Sequence, residues 1–313
     1  MNNTCSDTNK SVPIKTRSAY RKKWIKEELF IWSIWVIPIF MFLLMTIGGT
    51  ANNFVLMFQK FDPETKTYVG YGFGNFIDVW NDILSNPLIG ISIKNSVIIW
   101  LMNTLLLFPV ELLVSFALYK KVYGEGVFRV ILFLPRIISA MVWTLIFTYL
   151  LEFVFKTPDG VSLLFNPDTS FMTLYLYGFW LSFAGNMVIY TGAMSRIPYS
   201  IVEYAKLDGL GYLREFVTIT IPLIFPTISV ILITMISGLI NSTLPLYQFF
   251  GESAREELYS LHYFTYVMVI GSKSNEIYYP YTAAMSMLLS LVILPGTMII
   301  RHLCEKYGPS VEY

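Results

Sequence analysis

The stretch that decides the fold reads FVTITIPLIFPTISVILITMISGLINSTLPLYQFFG and runs from Phe216 to Gly251. It contains no Asp, Glu, Lys or Arg over its whole length. A helix that spans a bilayer needs about 20 consecutive, mostly apolar residues, and this stretch exceeds that length. The sequence therefore predicts a transmembrane helix here, at about residues 221–248.

The composition of the whole chain supports the same interpretation. Of its 313 residues, 55% are hydrophobic and 14% are charged, and the mean hydropathy is +0.58. Soluble domains are about 45–50% apolar and about 25% charged, so this chain has too few charges to cover a surface that faces water. The net charge of +1, without a basic stripe, gives no indication of nucleic-acid binding.

Other apolar segments have the length of a span, and together they predict an all-α polytopic membrane protein with six transmembrane helices. The predicted spans lie at about residues 29–47, 95–119, 128–151, 171–194, 221–248 and 281–300. Residues 1–28 and 302–313 form the two tails, and residues 29–301 form the membrane domain. One charge lies inside the second span, Glu111, and one inside the third, Arg136.

The distribution of Lys and Arg predicts the orientation of these spans. Fifteen of these residues lie in the tails and in the second–third and fourth–fifth connections, against six in the other connections. Because cytoplasmic loops carry the excess of Lys and Arg, both termini are predicted to be cytosolic. The first 28 residues are too polar and too long for a cleavable signal peptide, so we expect the first helix to remain. Cys5 and Cys304 are then expected to be reduced thiols.

The connection between the first two spans, on the predicted outer side, contains NFIDVWNDIL (Asn75–Leu84). Its apolar residues recur at spacings that suit a short amphipathic helix. No large inserted domain and no obvious internal repeat accompany it.

A polar connection at residues 195–221 is predicted to form two short helices joined by a glycine turn. Pro198 suits the first turn of a helix, where its missing N–H is not needed. Gly209 and Gly211 can adopt the left-handed conformation that ends a helix. A second helix, Tyr212–Thr220, then enters the membrane. The pattern favours a docking element, with a simple amphipathic connector as the alternative.

The same segment resembles the EAA loop of ABC importer permeases, whose pattern is E-A-A, three residues, G, nine residues and I-x-L-P. The matching residues are Glu203, Ala205, Gly209, Ile219 and Pro222, whereas Tyr204 and Ile221 depart from the pattern. A second stretch, FRVILFLPRIIS (Phe128–Ser139), is similar to the carbohydrate-uptake (MalF/UgpA-type) branch of that family. The resemblance runs from the second to the sixth predicted span. It implies the type I ABC importer permease fold and a multi-pass location in a bacterial-type plasma (inner) membrane.

That resemblance implies a subunit that works within an assembly in the lipid bilayer. Its partners would be a second permease in a heterodimer, two ATPase subunits and an extracytoplasmic solute-binding protein that delivers a carbohydrate. ATP and Mg would be bound by the ATPase, so no cofactor is expected in this chain. The residues expected to couple to the ATPase are Glu203, Tyr204, Ala205, Asp208 and Gly209.

The sequence contains no pattern for catalysis or metal binding. No G-x-x-x-x-G-K-[ST] motif occurs, so ATP hydrolysis is expected in separate subunits and this chain is not expected to be an enzyme. His262 and His302 are the only histidines and cannot form a metal site with two distant cysteines.

Two other functions stay open on the residues alone. One is the same role for a non-sugar solute, because the stretch FFGESAREEL (Phe249–Leu258) departs from the carbohydrate branch. The other is a proton-driven carrier or a membrane enzyme, which would need a relay of acidic or His side chains within the membrane.

The two charges inside the predicted spans need partners, since an isolated charge in a bilayer costs about 2.5–3.5 kcal/mol on insertion scales. Glu111 and Arg136 each lie about eight residues from the cytosolic end of their span, at roughly 12 Å depth. We predict an ion pair between them, with separate contacts to water, a headgroup or another subunit as the alternative.

A site for a sugar would combine aromatic, amide and hydroxyl groups in a concave pocket. The residues of this kind at mid-membrane depth are Trp143, Asn186, Tyr190, Asn241 and Ser242. They form the predicted substrate path. A contact between helices is the alternative for each of them, because small and polar residues are common at such contacts.

Overall fold

The structure is a computed structural model that describes residues 15–155, 160–242, 244–271 and 276–309. The chain divides into two units, Met1–Leu56 and Met57–Tyr313. Cys5 and the outermost parts of both predicted tails, residues 1–14 and 310–313, lie outside the described residues.

The first unit is one long helix. α1 (Lys15–Phe42) continues through a π-helical turn (Leu43–Ile47) into α2 (Gly48–Leu56). The part from Lys26 to Leu56 is long and apolar enough to cross a membrane. Large apolar side chains such as Trp32 and Phe40 are exposed along it, which suits a helix that lipid surrounds.

The second unit begins with a small extramembrane element. β1 (Lys60–Asp62) pairs antiparallel with β2 (Thr67–Val69), so that Phe61 lies opposite Tyr68. α3 (Gly74–Ser85) follows and confirms the amphipathic helix predicted at residues 75–84.

Three helical stretches of the second unit also have the length and apolarity of a span, the second of them interrupted between Asn241 and Leu246. The first is α4 (Pro87–Met102), a π-helical turn (Asn103–Leu107) and α5 (Phe108–Tyr119). The next consists of α11 (Tyr212–Glu215), a π-helical turn (Phe216–Thr220), α12 (Ile221–Asn241) and α13 (Leu246–Phe250). The last is α15 (Tyr278–Tyr307).

The two π-helical turns of the second unit share one feature of the sequence. Pro109 and Pro222 each follow two residues after such a turn. Proline has no N–H to donate to the carbonyl four residues earlier, and in both cases that carbonyl lies inside the π-helical turn.

The predicted spans at 128–151 and 171–194 are not single straight helices. α6 (Glu125–Ile137) and α7 (Ala140–Phe153) meet at an angle of 104°, and α8 (Pro167–Ser182) and α9 (Met187–Met194) meet at 42°. At the first bend Ile138 is extended, with φ −88° and ψ 143°. The described chain therefore has four candidate spans, or six if each bent pair counts as one. The number of six stays a prediction.

The remaining helices are α10 (Tyr199–Leu207), a 3₁₀ turn (Glu256–Leu258) and α14 (Leu261–Ile270). Two buried apolar clusters join helices of the second unit to one another. One cluster joins α5, α9, α10 and α12 through residues that include Leu112, Met194, Val202 and Ile224. The other joins α4, α8, α13 and α14 through residues that include Ile99, Leu174, Leu246 and Tyr263.

Candidate functional site

The connection between α9 and α12 is a helix–turn–helix whose turn depends on one glycine. α10 ends at Leu207, and Gly209 adopts the left-handed conformation with φ +67°. The Leu210 N–H donates to the Ala205 carbonyl at 3.0 Å, and the Gly209 N–H donates to the Lys206 carbonyl at 3.1 Å. These two bonds form a Schellman motif, which satisfies the last carbonyls of the helix. Gly209 thus sets the direction in which α11 departs.

α10 has one face against its own chain and one free face. Val202 and Ala205 are buried, and Ala205 is only 2% exposed. On the free side Tyr204 is 68% and Leu207 is 81% exposed, and Glu203 and Asp208 are also exposed. We call Tyr199, Glu203, Tyr204 and Leu207 the docking face. Of the five residues predicted to couple to an ATPase, Ala205 is therefore turned inward and the others face outward.

The second helix of this element is fixed by a buried ion pair that the sequence did not predict. The Lys120 ammonium at the end of α5 pairs with the Glu215 carboxylate of α11. Their side chains are 10% and 6% exposed. Lys120 also lies over the rings of Phe116 and Tyr119, at 5.7 and 5.9 Å from the ring centroids. No local spacing indicates this pair, because 95 residues separate its members.

Glu111 and Arg136 reach the same point in the structure, but not as the predicted ion pair. Glu111 is buried, and it accepts the Asn186 backbone N–H at 3.0 Å and the Asn186 side-chain amide at 3.1 Å. The Arg136 guanidinium donates to the Gly185 carbonyl at 3.1 Å. Both charges therefore bind the backbone where α8 gives way to α9. Their hydrogen-bond partners are the groups of this bend, and the two opposite charges also interact electrostatically with each other.

The five residues of the predicted substrate path have different surroundings. Asn186 binds Glu111, and Tyr190 is fully buried against Phe108 in the core. Trp143 contacts Trp180 edge to face, with ring centroids 4.6 Å apart. The last two residues, Asn241 and Ser242, lie at the end of α12, and Asn241 donates to the Ser237 carbonyl at 3.3 Å.

Two of these path residues keep an unused polar atom. Within the part of the chain that the structure describes, the Tyr190 hydroxyl and the Trp143 indole N–H are buried without a hydrogen-bond partner. A buried polar group without a partner costs about 1–3 kcal/mol. Such a group is a candidate for a contact that forms in another state or with another molecule.

A small cavity of about 50 Å³ lies where three interrupted helices meet. It is lined by Asn103 of the π-helical turn, by Tyr175, Gly178 and Ser182 of α8, and by Pro245 just before α13. The Tyr175 hydroxyl donates to the Asn103 side-chain oxygen at 3.4 Å. Irregular backbone at membrane depth is tolerated where protein buries it or where it lines a cavity. This cavity is therefore a candidate section of a polar path.

The cavity residues were not among those predicted from the sequence. Asn103 is the cavity residue that the sequence could most readily have indicated, because it is a polar amide within an apolar stretch and a buried amide in a span needs a partner. No feature of the sequence distinguishes Tyr175 and Ser182 from residues that form ordinary contacts between helices. Within the described residues, no group of three or more His, Cys, Asp or Glu is arranged to hold a metal ion.

Comparison with known proteins gives concordant matches. A family model described as "Binding-protein-dependent transport system inner membrane component" matches residues 112–306. The polygalacturonan/rhamnogalacturonan transport system permease protein YteP of Bacillus subtilis (strain 168) is 26% identical over 83% of each chain. The lactose transport system permease protein LacF of Rhizobium radiobacter is 28% identical over 58% of this chain and 61% of its own length.

A solved structure has the same fold. It is the crystal structure of a bacterial ABC transporter involved in the import of the acidic polysaccharide alginate. One of its chains aligns with a TM-score of 0.69 at 18% identity, over 92% of this chain and 99% of that one.

Proposed function

Because the chain belongs to the family of binding-protein-dependent transport system inner membrane components, we propose that it is a permease subunit of an ATP-driven importer. It is a multi-pass inner-membrane protein, and in this role it forms the translocation path together with a second permease. Both termini and the α10–α11 element face the cytosol in this proposal. The excess of Lys and Arg in the tails and in that connection supports this orientation.

One observation carries the proposal: within the described residues of the second unit, nothing covers the docking face of α10. Exposed Tyr204 and Leu207 are large, and the exposed Glu203 carboxylate lies on the same face. Aromatic side chains on a rigid helix suit the centre of a protein–protein contact, and charged groups suit its rim. We propose that this face enters a cleft of a cytosolic ATPase subunit.

The same geometry explains how movement of the ATPase would reach the membrane. Val202 and Ala205 fix α10 to the core, and the Lys120–Glu215 pair fixes α11 to the end of α5. A displacement of the docking face is therefore transmitted to α5, α9 and α12 rather than lost in a flexible loop. ATP is hydrolysed in the partner, and this chain contributes no catalytic residue or cofactor.

We propose a carbohydrate, a sugar or oligosaccharide, as the solute. The support is the similarity to permeases named for polygalacturonan/rhamnogalacturonan and lactose transport. An extracytoplasmic binding protein would deliver the solute to the outer side. The cavity around Asn103, Tyr175 and Ser182 is the proposed section of the path in this subunit.

A pair of glycine variants tests the coupling role. An added Cβ meets no atom within 4 Å at either Gly209 or Gly211, so space does not distinguish the two. Gly209 has φ +67°, whereas Gly211 has φ −69° and accepts any side chain. A β-branched residue at positive φ is strongly disfavoured. We expect Gly209→Val to abolish ATP-dependent uptake and co-purification of the ATPase, and Gly211→Val to preserve both.

A surface variant separates docking from folding. Leu207→Asp changes an exposed residue, so the chain should fold and reach the membrane normally. We expect loss of the ATPase from the purified complex and loss of uptake of labelled oligosaccharide. Normal uptake by both Leu207→Asp and Gly209→Val would contradict the proposed role of α10.

A further inference from the structure

The amphipathic helix α3 has an apolar stripe on a surface that the described remainder of the second unit leaves open. Ile77 and Trp80 are each 58% exposed, and Leu84 is 72% exposed. At about 100° per residue, these three side chains lie within roughly 60° of the helix circumference. A helix in water would not present three large apolar side chains in one line.

The opposite side of α3 packs on the second unit. Val79 is fully buried, and the buried Asn75 amide donates to the carbonyls of Met57 and Gln59 at 2.9 and 2.7 Å. Asp82 accepts the Tyr281 hydroxyl of α15 at 2.8 Å. These contacts fix the rotation of the helix about its axis, so the stripe cannot turn inward.

A third sector of α3 is polar and exposed. It contains Asp78, Asn81 and Ser85, and Asp78 lies 3.7 Å from the Lys60 ammonium of β1. Around its circumference the helix therefore has a protein side, an apolar exposed side and a polar exposed side. Such an arrangement suits a helix at a boundary between an apolar and an aqueous medium.

The position of α3 along the chain identifies that boundary. α3 ends at Ser85, and one extended residue, Asn86, separates it from the first residue of the α4 span, Pro87. Tyr281, which holds Asp82, lies in the first turn of the α15 span. α3 is thus attached to the beginnings of α4 and α15, the two helices whose predicted spans start at about residues 95 and 281, so it lies on the side where these spans enter the outer water. Tryptophan is enriched at this level of membrane proteins.

We propose that α3 is an interfacial helix that binds the lipid surface through Ile77, Trp80 and Leu84. The stripe enters the boundary between headgroups and acyl chains, and the Asp78–Asn81 sector stays in water. Because its exposed acidic residue carries no attraction for anionic lipids, the binding is driven by the apolar stripe. This inference depends on the chain being a membrane protein and does not depend on which solute is carried.

Spin labels along α3 test this proposal. In a background with Cys5→Ser and Cys304→Ser, a nitroxide is attached at Ile77→Cys, at Leu84→Cys and, as the matched control, at Asn81→Cys. The full chain with its co-purifying subunits is reconstituted into vesicles of phosphatidylethanolamine and phosphatidylglycerol. Accessibility is measured to oxygen, which concentrates in lipid, and to a water-soluble nickel complex.

We expect an oxygen-to-nickel accessibility ratio that is several-fold higher at positions 77 and 84 than at 81. Low accessibility to both reagents at 77 and 84 would mean that another protein surface covers the stripe, and would overturn the proposal. High nickel accessibility at all three positions would mean that the stripe faces water, and would also overturn it. Two labelled stripe positions keep the result interpretable if one variant assembles poorly.

Discussion

The Lys120–Glu215 pair places two opposite charges in a site that excludes most water. Their side chains are 10% and 6% exposed, and rings of Phe116 and Tyr119 lie around the ammonium group. The attraction between the charges compensates for the lost hydration only while both are present. Breaking a buried pair by removing one member costs about 3–5 kcal/mol, because the other charge is left alone.

A comparison of two ion pairs tests this estimate. We expect Lys120→Met to lower the free energy of unfolding by about 3–5 kcal/mol. The exposed pair of Arg301 and Glu305, with side chains 68% and 62% exposed, is the control. Arg301→Met should cost less than about 1 kcal/mol. Chemical denaturation of the purified protein in detergent micelles measures both.

A second variant distinguishes the loss of the charge pair from an effect of the changed side-chain shape at residue 120. The exchange Lys120→Glu with Glu215→Lys keeps one charge of each sign, and we expect it to recover most of the stability that Lys120→Met loses. If Lys120→Met and Arg301→Met lower the free energy of unfolding equally, the buried pair contributes no more to stability than the exposed pair.

At the scale of residues, the sequence indicates which charges are unusual but not what they contact. Glu111 and Arg136 are conspicuous inside apolar segments, and the structure brings both to the junction of α8 and α9. Their actual partners are the Asn186 amides and the Gly185 carbonyl. Those groups are outside regular helix because α8 ends at Ser182 and α9 begins at Met187, and apolarity alone does not predict that interruption.

At the scale of elements, the apolar segments were predictable and their bends were not. Pro38, Pro226 and Pro295 all lie inside helices that continue through them. Proline alone therefore does not identify the break after Pro135 between α6 and α7. The bend of 104° comes from the extended residue Ile138, and no local signal in FLPRIIS distinguishes it from a straight helix.

The junction of α8 with the end of the α12 span offers a test of the proposed path. An added Cβ at Gly178 would lie 3.6 Å from Pro245, which is ordinary van der Waals contact. Gly178→Ala should therefore leave assembly and uptake unchanged. A phenylalanine side chain is larger than the cavity of about 50 Å³ beside it, so we expect Gly178→Phe to block uptake.

The informative measurement for these variants is uptake at equal amounts of assembled transporter. Gly178→Phe should still co-purify with the ATPase, since residue 178 lies on α8 and the whole of α9 separates α8 from the docking face on α10. Unchanged uptake by Gly178→Phe would remove this cavity from the path, whereas loss of assembly in Gly178→Ala would show that the site is structural.

At the scale of the whole molecule, composition and charge distribution were sufficient for the broad class. The EAA-loop residues predicted the family that the comparison found, and Gly209 has the left-handed backbone that the pattern requires. The inward turn of Ala205 was not predictable. Sequence spacing alone does not say which face of a short helix meets the core of its own chain.

Thiol labelling tests the predicted orientation. Cys5 and Cys304 are the only cysteines of the chain, and Cys304 is partly exposed on α15. We expect a membrane-impermeant maleimide to leave both unlabelled in intact cells and to label Cys304 after permeabilisation.

The control for that experiment is Tyr71→Cys in the connection between β2 and α3, where Tyr71 is almost fully exposed. It should be labelled in intact cells. Labelling of the wild-type chain from outside, or protection of position 71, would reverse the proposed orientation.

The contact between Glu111 and Asn186 has a consequence for how the chain is made. Asn186 follows Glu111 by 75 residues, and at about 5–20 residues per second a ribosome needs roughly 4–15 s to synthesise them. During that interval the helix that contains the Glu111 carboxylate has been synthesised, but Asn186, which donates hydrogen bonds to it, has not. Its release into lipid is unfavourable until the later helix arrives, so the two are expected to leave the insertion machinery together.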